Sequence, residues 1–218
     1  MTKQRTDAII FDLDGTLVDS LPGIEASLRV AAAACDPPRH VPPIRSIIGP
    51  PIAEMIQRLW PDLEEEERQR AISAFRQHYD GEGCLMSPLF PDVEETLDAL
   101  SARGLELFVL TNKPSAPTAT ILDQAAIRRH FTAVISPDSN DPPFPVKSAG
   151  ARWLRDRYRL TPEATLLVGD GIDDADAAAA CSFGFVAASY GYGSVVGRDD
   201  LPRLATLETF SEITEIVL

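Results

Sequence analysis

Acidic residues directly follow two short apolar runs of this sequence. Asp12 and Asp14 come after Ala8–Phe11, in the stretch IIFDLDGT, and three further aspartates lie at positions 170–174, just after the apolar residues 166–168. An Asp-Gly pair alone is typical of a hairpin turn, but here the chain continues in a helical pattern and not into a second alternating strand. Clustered carboxylates can hold a divalent cation, act as nucleophiles or transfer protons. The sequence therefore indicates a site for such chemistry where these two runs end.

Other polar residues follow the remaining apolar runs. The sequence Thr-Asn-Lys at 111–113 comes after residues 105–110, and Lys147 precedes the helical segment that follows residues 132–135. Taken singly, these residues would be an ordinary helix cap and a solvated lysine. In a parallel α/β sheet, however, the carboxyl ends of the strands meet at one edge, where ligands bind. Their joint occurrence, each beyond a strand, favours a single functional site.

Short apolar runs predict the strands that must position these side chains. The runs are rich in Val, Ile, Leu and Phe and are separated by segments with helical spacing, which is typical of a parallel sheet covered on both faces. We therefore expect an α/β fold with a Rossmann-like, doubly wound parallel sheet. The predicted strands are residues 8–11, 105–110, 132–135, 166–168 and 183–187.

Residues 20–87 follow a different pattern. They contain no strand-like run, and their apolar residues recur at a helical period, beginning with Leu21, Ile24 and Leu28. Glycine and proline at both ends of this segment could form hinges. We expect a small all-helical cap domain inserted after the first strand, with residues 1–19 and 88–218 forming the α/β core.

The composition excludes several classes of protein. Hydrophobic residues make up 44% of the chain and charged residues 24%, which is typical of a folded globular protein. The formal charge of -13 disfavours binding to nucleic acid or to an anionic membrane. No stretch approaches the roughly 20 apolar residues of a membrane span. We expect a soluble, cytoplasmic protein that binds neither nucleic acid nor a membrane.

Several motifs, taken together, resemble a known family. DLDGTLVDS, LTNKP and VGDGIDDADAAAA, supported by IIGPPI, FPDVEETLDAL and YGYG, are similar to the motifs of the haloacid dehalogenase superfamily. The likeness is strongest to its phosphoglycolate-phosphatase-like branch, in which a helical cap follows the first strand, and it covers essentially the whole chain. The resemblance implies a Mg²⁺-dependent phosphatase that acts on a small organic phosphate monoester, such as a phosphoglycolate-like compound, a nucleotide or a sugar phosphate, through an aspartyl phosphate. It implies a small phosphorylated metabolite as the partner, and either a monomer or a homodimer.

The resemblance also assigns roles to individual residues. Asp12 would be the nucleophile, and Asp14 would protonate the leaving alkoxide and then activate water. Thr111 would hydrogen-bond a phosphoryl oxygen, and Lys147 would offset the charge that builds up during transfer. Because Lys147 lies in the sequence PFPVKSAG and not in the usual Lys-Pro-x-Pro context, Lys113 is an alternative for this role.

Several carboxylates around a phosphate dianion would repel each other and the substrate unless a cation lay among them. Mg²⁺ suits this site because it binds a few carboxylates together with water and phosphate oxygen. We expect Asp12 and Asp170 to be direct ligands, together with the main-chain carbonyl of Asp14. Asp174 would bind directly or through water, with Asp173 as the lower-ranked alternative.

The remaining predicted site residues would bind the substrate. Gly15, Thr16, Asn112 and Lys113 would surround the phosphate, partly through main-chain amides. Arg45, in the sequence IRSIIGPPI, is the predicted contact from the cap, which would set specificity because the core motifs recognise only phosphate.

Two alternative functions stay open at this point. A sugar-phosphate mutase would use the same core, although the cap-proximal histidine of such enzymes has no counterpart at residues 21–26. A non-catalytic phosphate-binding regulatory protein could share the fold. Two other activities are disfavoured: a dehalogenase does not need the second aspartate, and a phosphonatase needs a cap lysine, which residues 20–87 lack.

Overall fold

The computed structural model describes residues 6–193, 195 and 203–217. The chain divides into two compact units, one of residues 1–19 and 89–218 and the other of residues 20–88. None of the helices in the described part of the chain is both long enough and apolar enough to cross a membrane.

The first unit contains a single sheet of parallel strands, which confirms the predicted α/β fold class. The strands lie in the order β3-β2-β1-β4-β5-β6. Their bounds are β1 Ala8–Phe11, β2 Glu106–Leu110, β3 Ala133–Ile135, β4 Thr165–Gly169, β5 Gly184–Ala188 and β6 Ala205–Leu207.

Sequence analysis located β1 to β5 to within a residue at each end but missed β6. Strand β6 has only three residues, and of these Leu207 alone is buried. Strand β3 is equally short, but it ends the largely apolar sequence FTAVI at 131–135, whereas the sequence ATL of β6 has no comparable apolar run.

Helices cover both faces of the sheet, which explains why β1 is apolar and buried at every position. Ala8 and Ile10 belong to a core cluster with residues of α6 and α7, whereas Phe11 points to the other face and contacts Phe210, with ring centroids 5.4 Å apart. The helices of this unit are α4 Val93–Ala102, α5 Ser115–Gln124, α6 Lys147–Tyr158, α7 Ile172–Cys181 and α8 Ile213–Ile216.

The strand order brings β1 and β4 side by side at the centre of the sheet. Phe11 is in register with Val168, so that both strands end at the same level. After β1 the chain passes to β2 and β3 on one side, and it returns to β4 on the other. Ligands of open α/β sheets bind in the crevice beyond the carboxyl ends at such a reversal. Asp12 and Asp170, which follow these two strands, therefore lie at the edge where a ligand is expected.

The second unit is helical throughout its described secondary structure. Gly23 lies so close to Gly83 that a Cβ atom on Gly23 would lie 2.0 Å from the carbonyl oxygen of Gly83. Ser27 Oγ and His78 Nδ1 form a hydrogen bond of 2.9 Å between the first and third helices. The helices are α1 Leu21–Ala33, α2 Ile52–Leu59 and α3 Glu65–Gly81, with short 3-10 helices at Arg45–Ile47 and Gly83–Met86.

Candidate active site

Asp12 continues the line of β1 into the crevice. Its main-chain N–H donates to the carbonyl of Val168 over 2.9 Å, so that the backbone of Asp12 is still paired with β4. The residue is only 7% exposed. Its carboxylate is therefore held at the carboxyl edge of the two central strands, and the adjoining sheet fixes its main chain.

Lys147 is the first residue of α6, and its side chain reaches this carboxylate. The Nζ atom lies 2.6 Å from Asp12 Oδ1 and 2.6 Å from Asp174 Oδ1. The side chain of Lys147 is 3% exposed. The structure thus brings together Lys147, Asp12 and Asp174, which are far apart in the sequence.

Three buried carboxylates form a cluster at this edge. One oxygen of each of Asp12, Asp170 and Asp174 lies within 4.8 Å of the other two. Oδ2 of Asp174 accepts a hydrogen bond of 2.9 Å from the main-chain N–H of Gly171 at the start of α7. Since this bond fixes Oδ2, the orientation of the carboxylate directs Oδ1 towards the cluster.

The adjacent aspartates of α7 have different surroundings. Asp174 is 1% exposed and belongs to the cluster. The side chain of Asp173 is 42% exposed, lies 3.9 Å from Lys147 Nζ, and accepts a hydrogen bond from the side-chain amide of Asn112. Successive helical residues point about 100° apart, so the two carboxylates have different neighbours although both lie near Lys147. The geometry favours Asp174 over Asp173 as a metal ligand.

Burial raises the pKa values of these carboxyl groups. The pKa of Asp12 rises to about 7, because the cost of burying its charge exceeds the stabilisation from Lys147, and the charges of Asp170 and Asp173 raise it further. For Asp170, burial raises the pKa to about 6 against the opposing effect of the hydrogen bonds from Tyr192 and Gly193. Burial also raises the pKa of Asp174.

The pKa of Lys147 moves in the direction that keeps it charged. Burial alone would lower this pKa, but the carboxylates of Asp12, Asp174 and Asp173 outweigh burial and raise it well above its usual range. Lys147 is therefore a permanent cation at neutral pH.

The cluster fits a divalent cation. Three carboxylate oxygens converge within 4.8 Å, whereas the ammonium group of Lys147 forms ion pairs with only two of the three groups. Burial is the main cause of the raised pKa values of Asp12 and Asp170, and a bound cation would offset this cost by stabilising the ionised carboxylates. Hard oxygen ligands in this number are those that Mg²⁺ takes from proteins, with water and substrate oxygens completing its shell.

Asp14 is held next to Lys113 and not next to Lys147. Asp14 lies in a tight turn after β1, in which Gly15 adopts a φ of 81° and donates its N–H to Val18. The Nζ atom of Lys113 lies 3.0 Å from Asp14 Oδ1, and the side chain of Lys113 is 6% exposed. Lys147 and Lys113, the two candidates for offsetting charge during transfer, thus contact different aspartates.

Thr111 and Asn112 follow β2 at the same edge of the sheet. The main-chain N–H of Thr111 donates to Ile135 over 2.9 Å, and its Oγ1 accepts a hydrogen bond of 3.1 Å from the main-chain N–H of Lys113. Thr111 is 3% exposed. Thr16 is fully buried, and its Oγ1 has no hydrogen-bond partner among the described residues. The predicted phosphate contacts of these side chains stay predictions.

The loop after β5 supports the site, and the sequence-based choice of site residues missed it. The main-chain N–H groups of Tyr192 and Gly193 donate to Asp170 Oδ2 over 2.7 and 3.3 Å. The hydroxyl of Tyr192 donates to Asp19, and the hydroxyl of Tyr190 donates to the carbonyl of Thr16, over 2.9 Å in each case. The sequence YGYG at 190–193 was the available signal, although main-chain donors leave no residue-specific mark in a sequence.

Close packing between this loop and the first turn requires glycine. A Cβ atom on Gly15 would lie 2.2 Å from Asp170 Oδ2, and one on Gly191 would lie 2.2 Å from the carbonyl oxygen of Gly15. The first turn, the carboxylate of Asp170 and the loop are therefore in van der Waals contact.

Arg45 belongs to the helical unit. It begins the 3-10 helix Arg45–Ile47 and is exposed. Its predicted contact with the substrate stays a prediction.

Known proteins are similar to this chain in sequence and in fold. The family model for haloacid dehalogenase-like hydrolases matches residues 6–182. A phosphoglycolate phosphatase from Vibrio vulnificus (strain YJ016) is 31% identical over 100% of this chain and 99% of its own length. Another, from Vibrio cholerae, is 36% identical over 84% of each chain. The crystal structure of a predicted phosphoglycolate phosphatase from Haemophilus somnus 129PT matches with a TM-score of 0.87 and 29% identity over 98% of each chain.

The chain therefore belongs to the haloacid dehalogenase-like hydrolase family. Within this family it is a phosphoric monoester hydrolase.

Proposed function

We propose that this enzyme hydrolyses a small organic phosphate monoester in two displacements, with Mg²⁺ bound and Asp12 transiently phosphorylated. The observation that carries the proposal is the buried carboxylate of Asp12, which lies 2.6 Å from Lys147 and in one cluster with Asp170 and Asp174. Enzymes gain by dividing a very slow hydrolysis into two easier transfers.

In the first displacement, a carboxylate oxygen of Asp12 attacks phosphorus. The ester P–O bond breaks, its electron pair stays on the leaving oxygen, and the carboxyl of Asp14 gives that oxygen its proton. Lys147 fixes the Asp12 carboxylate and offsets negative charge on the transferring group. Thr111 donates its hydroxyl hydrogen to a phosphoryl oxygen, which is compatible with its Oγ1 acting as an acceptor for Lys113 N–H.

In the second displacement, water releases the phosphoryl group. The Asp14 carboxylate takes a proton from water while the water oxygen attacks phosphorus, and the bond to Asp12 breaks. The products are inorganic phosphate, the free carboxylate of Asp12 and protonated Asp14, which is ready for the next substrate. One side chain thus serves as the acid in the first step and as the base in the second.

Asp12, Asp170 and Asp174 would hold the cation, as their convergence supports. Bound Mg²⁺ would keep the three carboxylates ionised and would stabilise negative charge on the phosphoryl oxygens. Main-chain donors from Tyr192 and Gly193 already orient Asp170 for this purpose. A carbonyl ligand from Asp14 is part of the proposal.

We further propose that residues 20–88 act as a cap that selects the organic part of the substrate. The relatives named as phosphoglycolate phosphatases make phosphoglycolate the first substrate to test. Arg45, an exposed cation of the helical unit, would pair with the substrate carboxylate. Nucleoside monophosphates and sugar phosphates belong in the same panel, ranked by kcat/KM.

The test compares phosphate release by the wild type with that by Asp12→Asn. With Mg²⁺ we expect release from p-nitrophenyl phosphate and from phosphoglycolate, and we expect EDTA to abolish it. Asp12→Asn should lose at least about 10³-fold in kcat, whereas Asp123→Asn, an exposed aspartate of α5, should keep full activity. Acid quenching during turnover should trap one phosphoryl group on the wild-type chain, detectable by mass spectrometry. Full activity of Asp12→Asn would contradict the proposal.

A further inference from the structure

We propose that Lys113 is a positioning residue for Asp14, which orients the acid of the first displacement and does not itself bind the substrate. This inference rests on the proposed function. It replaces the substrate-binding role that sequence analysis predicted for Lys113 with a role that acts through a neighbouring carboxyl group. The observation behind it is the buried ion pair between Lys113 Nζ and Asp14 Oδ1, at 3.0 Å.

The partners of this pair project from two rigid turns. Asp14 belongs to the turn after β1, where the N–H groups of Thr16, Leu17 and Val18 all donate to the carbonyl of Leu13. Lys113 belongs to the turn after β2, where its N–H donates to Thr111 Oγ1 over 3.1 Å. Because β1 and β2 are neighbouring strands in register, these turns hold the two side chains at a constant separation.

The oxygens of Asp14 are not equivalent in this arrangement. Oδ1 is fully buried and faces the ammonium group of Lys113, whereas the side chain as a whole is 17% exposed. The ammonium group of Lys113 can only donate hydrogen bonds, so Oδ1 must act as an acceptor. The proton that Asp14 gives to the leaving group must therefore be carried by Oδ2. Lys113 thus determines which carboxyl oxygen is presented to the crevice. A carboxyl group without this anchor could rotate and would present that oxygen only part of the time.

The carboxylate that each buried lysine faces distinguishes their roles. The side chain of Lys113 is 6% exposed, and its ammonium group faces Asp14, the proposed acid, at 3.0 Å. Lys147 is also buried, but it faces Asp12, the proposed nucleophile to which the phosphoryl group is transferred. Lys147 is therefore better placed to offset the charge of the transferred group, and Lys113 is better placed to orient the acid.

The dependence of rate on the leaving group tests this role. Phenyl phosphate and p-nitrophenyl phosphate have similar shapes, but phenolate is the more basic leaving group and needs a proton more. The kcat/KM value reports only the steps up to departure of the leaving group, because hydrolysis of the phosphorylated enzyme comes later. In Lys113→Met we expect kcat/KM to fall more for phenyl phosphate than for p-nitrophenyl phosphate, by an additional factor of about ten or more. In Arg76→Met, which removes an exposed cation of α3, the ratio of the kcat/KM values for the two substrates should stay as in the wild type.

A double-mutant cycle with Asp14→Asn separates positioning from an independent role. If Lys113 acts through Asp14, Lys113→Met should cause no further loss of kcat/KM for phenyl phosphate in the Asp14→Asn background. The double variant also removes both charges of the buried pair, so circular dichroism melting should show it to be at least as stable as Lys113→Met.

Two results would overturn the inference. One is an equal loss of kcat/KM for both aryl phosphates, which would place Lys113 on the transferred phosphoryl group or in a purely structural role. The other is that Lys113→Met lowers kcat/KM for phenyl phosphate as much in the Asp14→Asn background as it does in the wild type. Either result would leave the proposed function intact if wild-type hydrolysis still depended on Asp12. Absence of hydrolysis by the wild type would instead refute the proposed function itself.

Discussion

The two units of this chain use charged residues in different ways. Among the described residues, every charged side chain classed as buried belongs to the α/β unit: Asp12, Lys113, Lys147, Asp170 and Asp174. In the helical unit the charges pair at the surface, as in Arg58 with Glu54, where the side chains are 53% and 50% exposed. Exposed pairs contribute little to stability, whereas burial of charge is costly unless function requires it. The buried charges of the α/β unit should therefore cost stability, and the proposed catalysis would account for their presence.

Removal of Lys147 should have the largest effect, because its charge is buried between two carboxylates. Lys147→Met leaves the Asp12 and Asp174 carboxylates without their ammonium partner at 2.6 Å. We expect kcat to fall by about 10³-fold or more, and the free energy of unfolding of metal-free protein at pH 7.5 to fall by about 3 kcal/mol. Phosphate release and urea titration measure the two effects.

The matched control is Arg58→Met in the helical unit. This change breaks an ion pair between exposed side chains, so the free energy of unfolding should change by no more than about 0.5 kcal/mol, with kcat unaltered. Equal destabilisation by the two substitutions would show that the buried and exposed charges do not differ as described.

Two glycines with positive φ provide a second comparison. Gly15 has a φ of 81° and touches Asp170. Gly49 has a φ of 124°, and no described residue beyond its chain neighbours has an atom within 4 Å of where its Cβ would lie. Gly49→Ala should cost only backbone strain, about 1 kcal/mol. Gly15→Ala should cost about 2 kcal/mol or more, because the new methyl group must also displace the Asp170 carboxylate. Urea titration compares the two variants, and Mg²⁺ affinity should fall in Gly15→Ala alone.

The pH dependence of stability tests the raised pKa values. With pKa values of about 7 for Asp12 and about 6 for Asp170, against 3.8 ordinarily, the folded protein binds more protons than the unfolded chain between about pH 4 and 7. The contribution of these groups to stability must therefore fall as the pH rises through that window. Between pH 5 and pH 7.5, the Tm of the metal-free wild type should fall by a few degrees more than the Tm of Asp170→Asn does.

Mg²⁺ should reverse this loss. At pH 7.5 it should raise the Tm of the wild type, because it binds the ionised carboxylates of the folded state, and it should raise Tm much less in Asp170→Asn. At pH 5 the wild-type shift should be smaller, since protons compete for the same oxygens. A Mg²⁺ shift that was equal at both pH values, or unaffected by Asp170→Asn, would remove Asp170 from the proposed ligand set.

Particular residues show how far the sequence alone could go. The central strands were predictable because strands buried on both faces must be apolar at nearly every position, as in β1. The edge at which Asp12, Asp170 and Lys147 meet was predictable because the carboxyl ends of parallel strands lie at one edge of the sheet. The resemblance ranked Asp174 above Asp173, but the two residues themselves offered no basis for the choice, because adjacent identical residues differ only in the direction in which the helix turns them. The main-chain donors of the loop after β5 were invisible for a similar reason, since every residue but proline carries one.

The two outermost strands, β3 and β6, are three residues long each. An exposed strand edge offers unpaired peptide groups to which another chain can add, and such edges are common starting points for aggregation. Brevity limits this risk here, because three residues provide too few donors and acceptors to recruit a foreign strand. Engineering that lengthened either strand would sacrifice this protection, so loop grafts intended to change the specificity of the enzyme are safer in the helical unit.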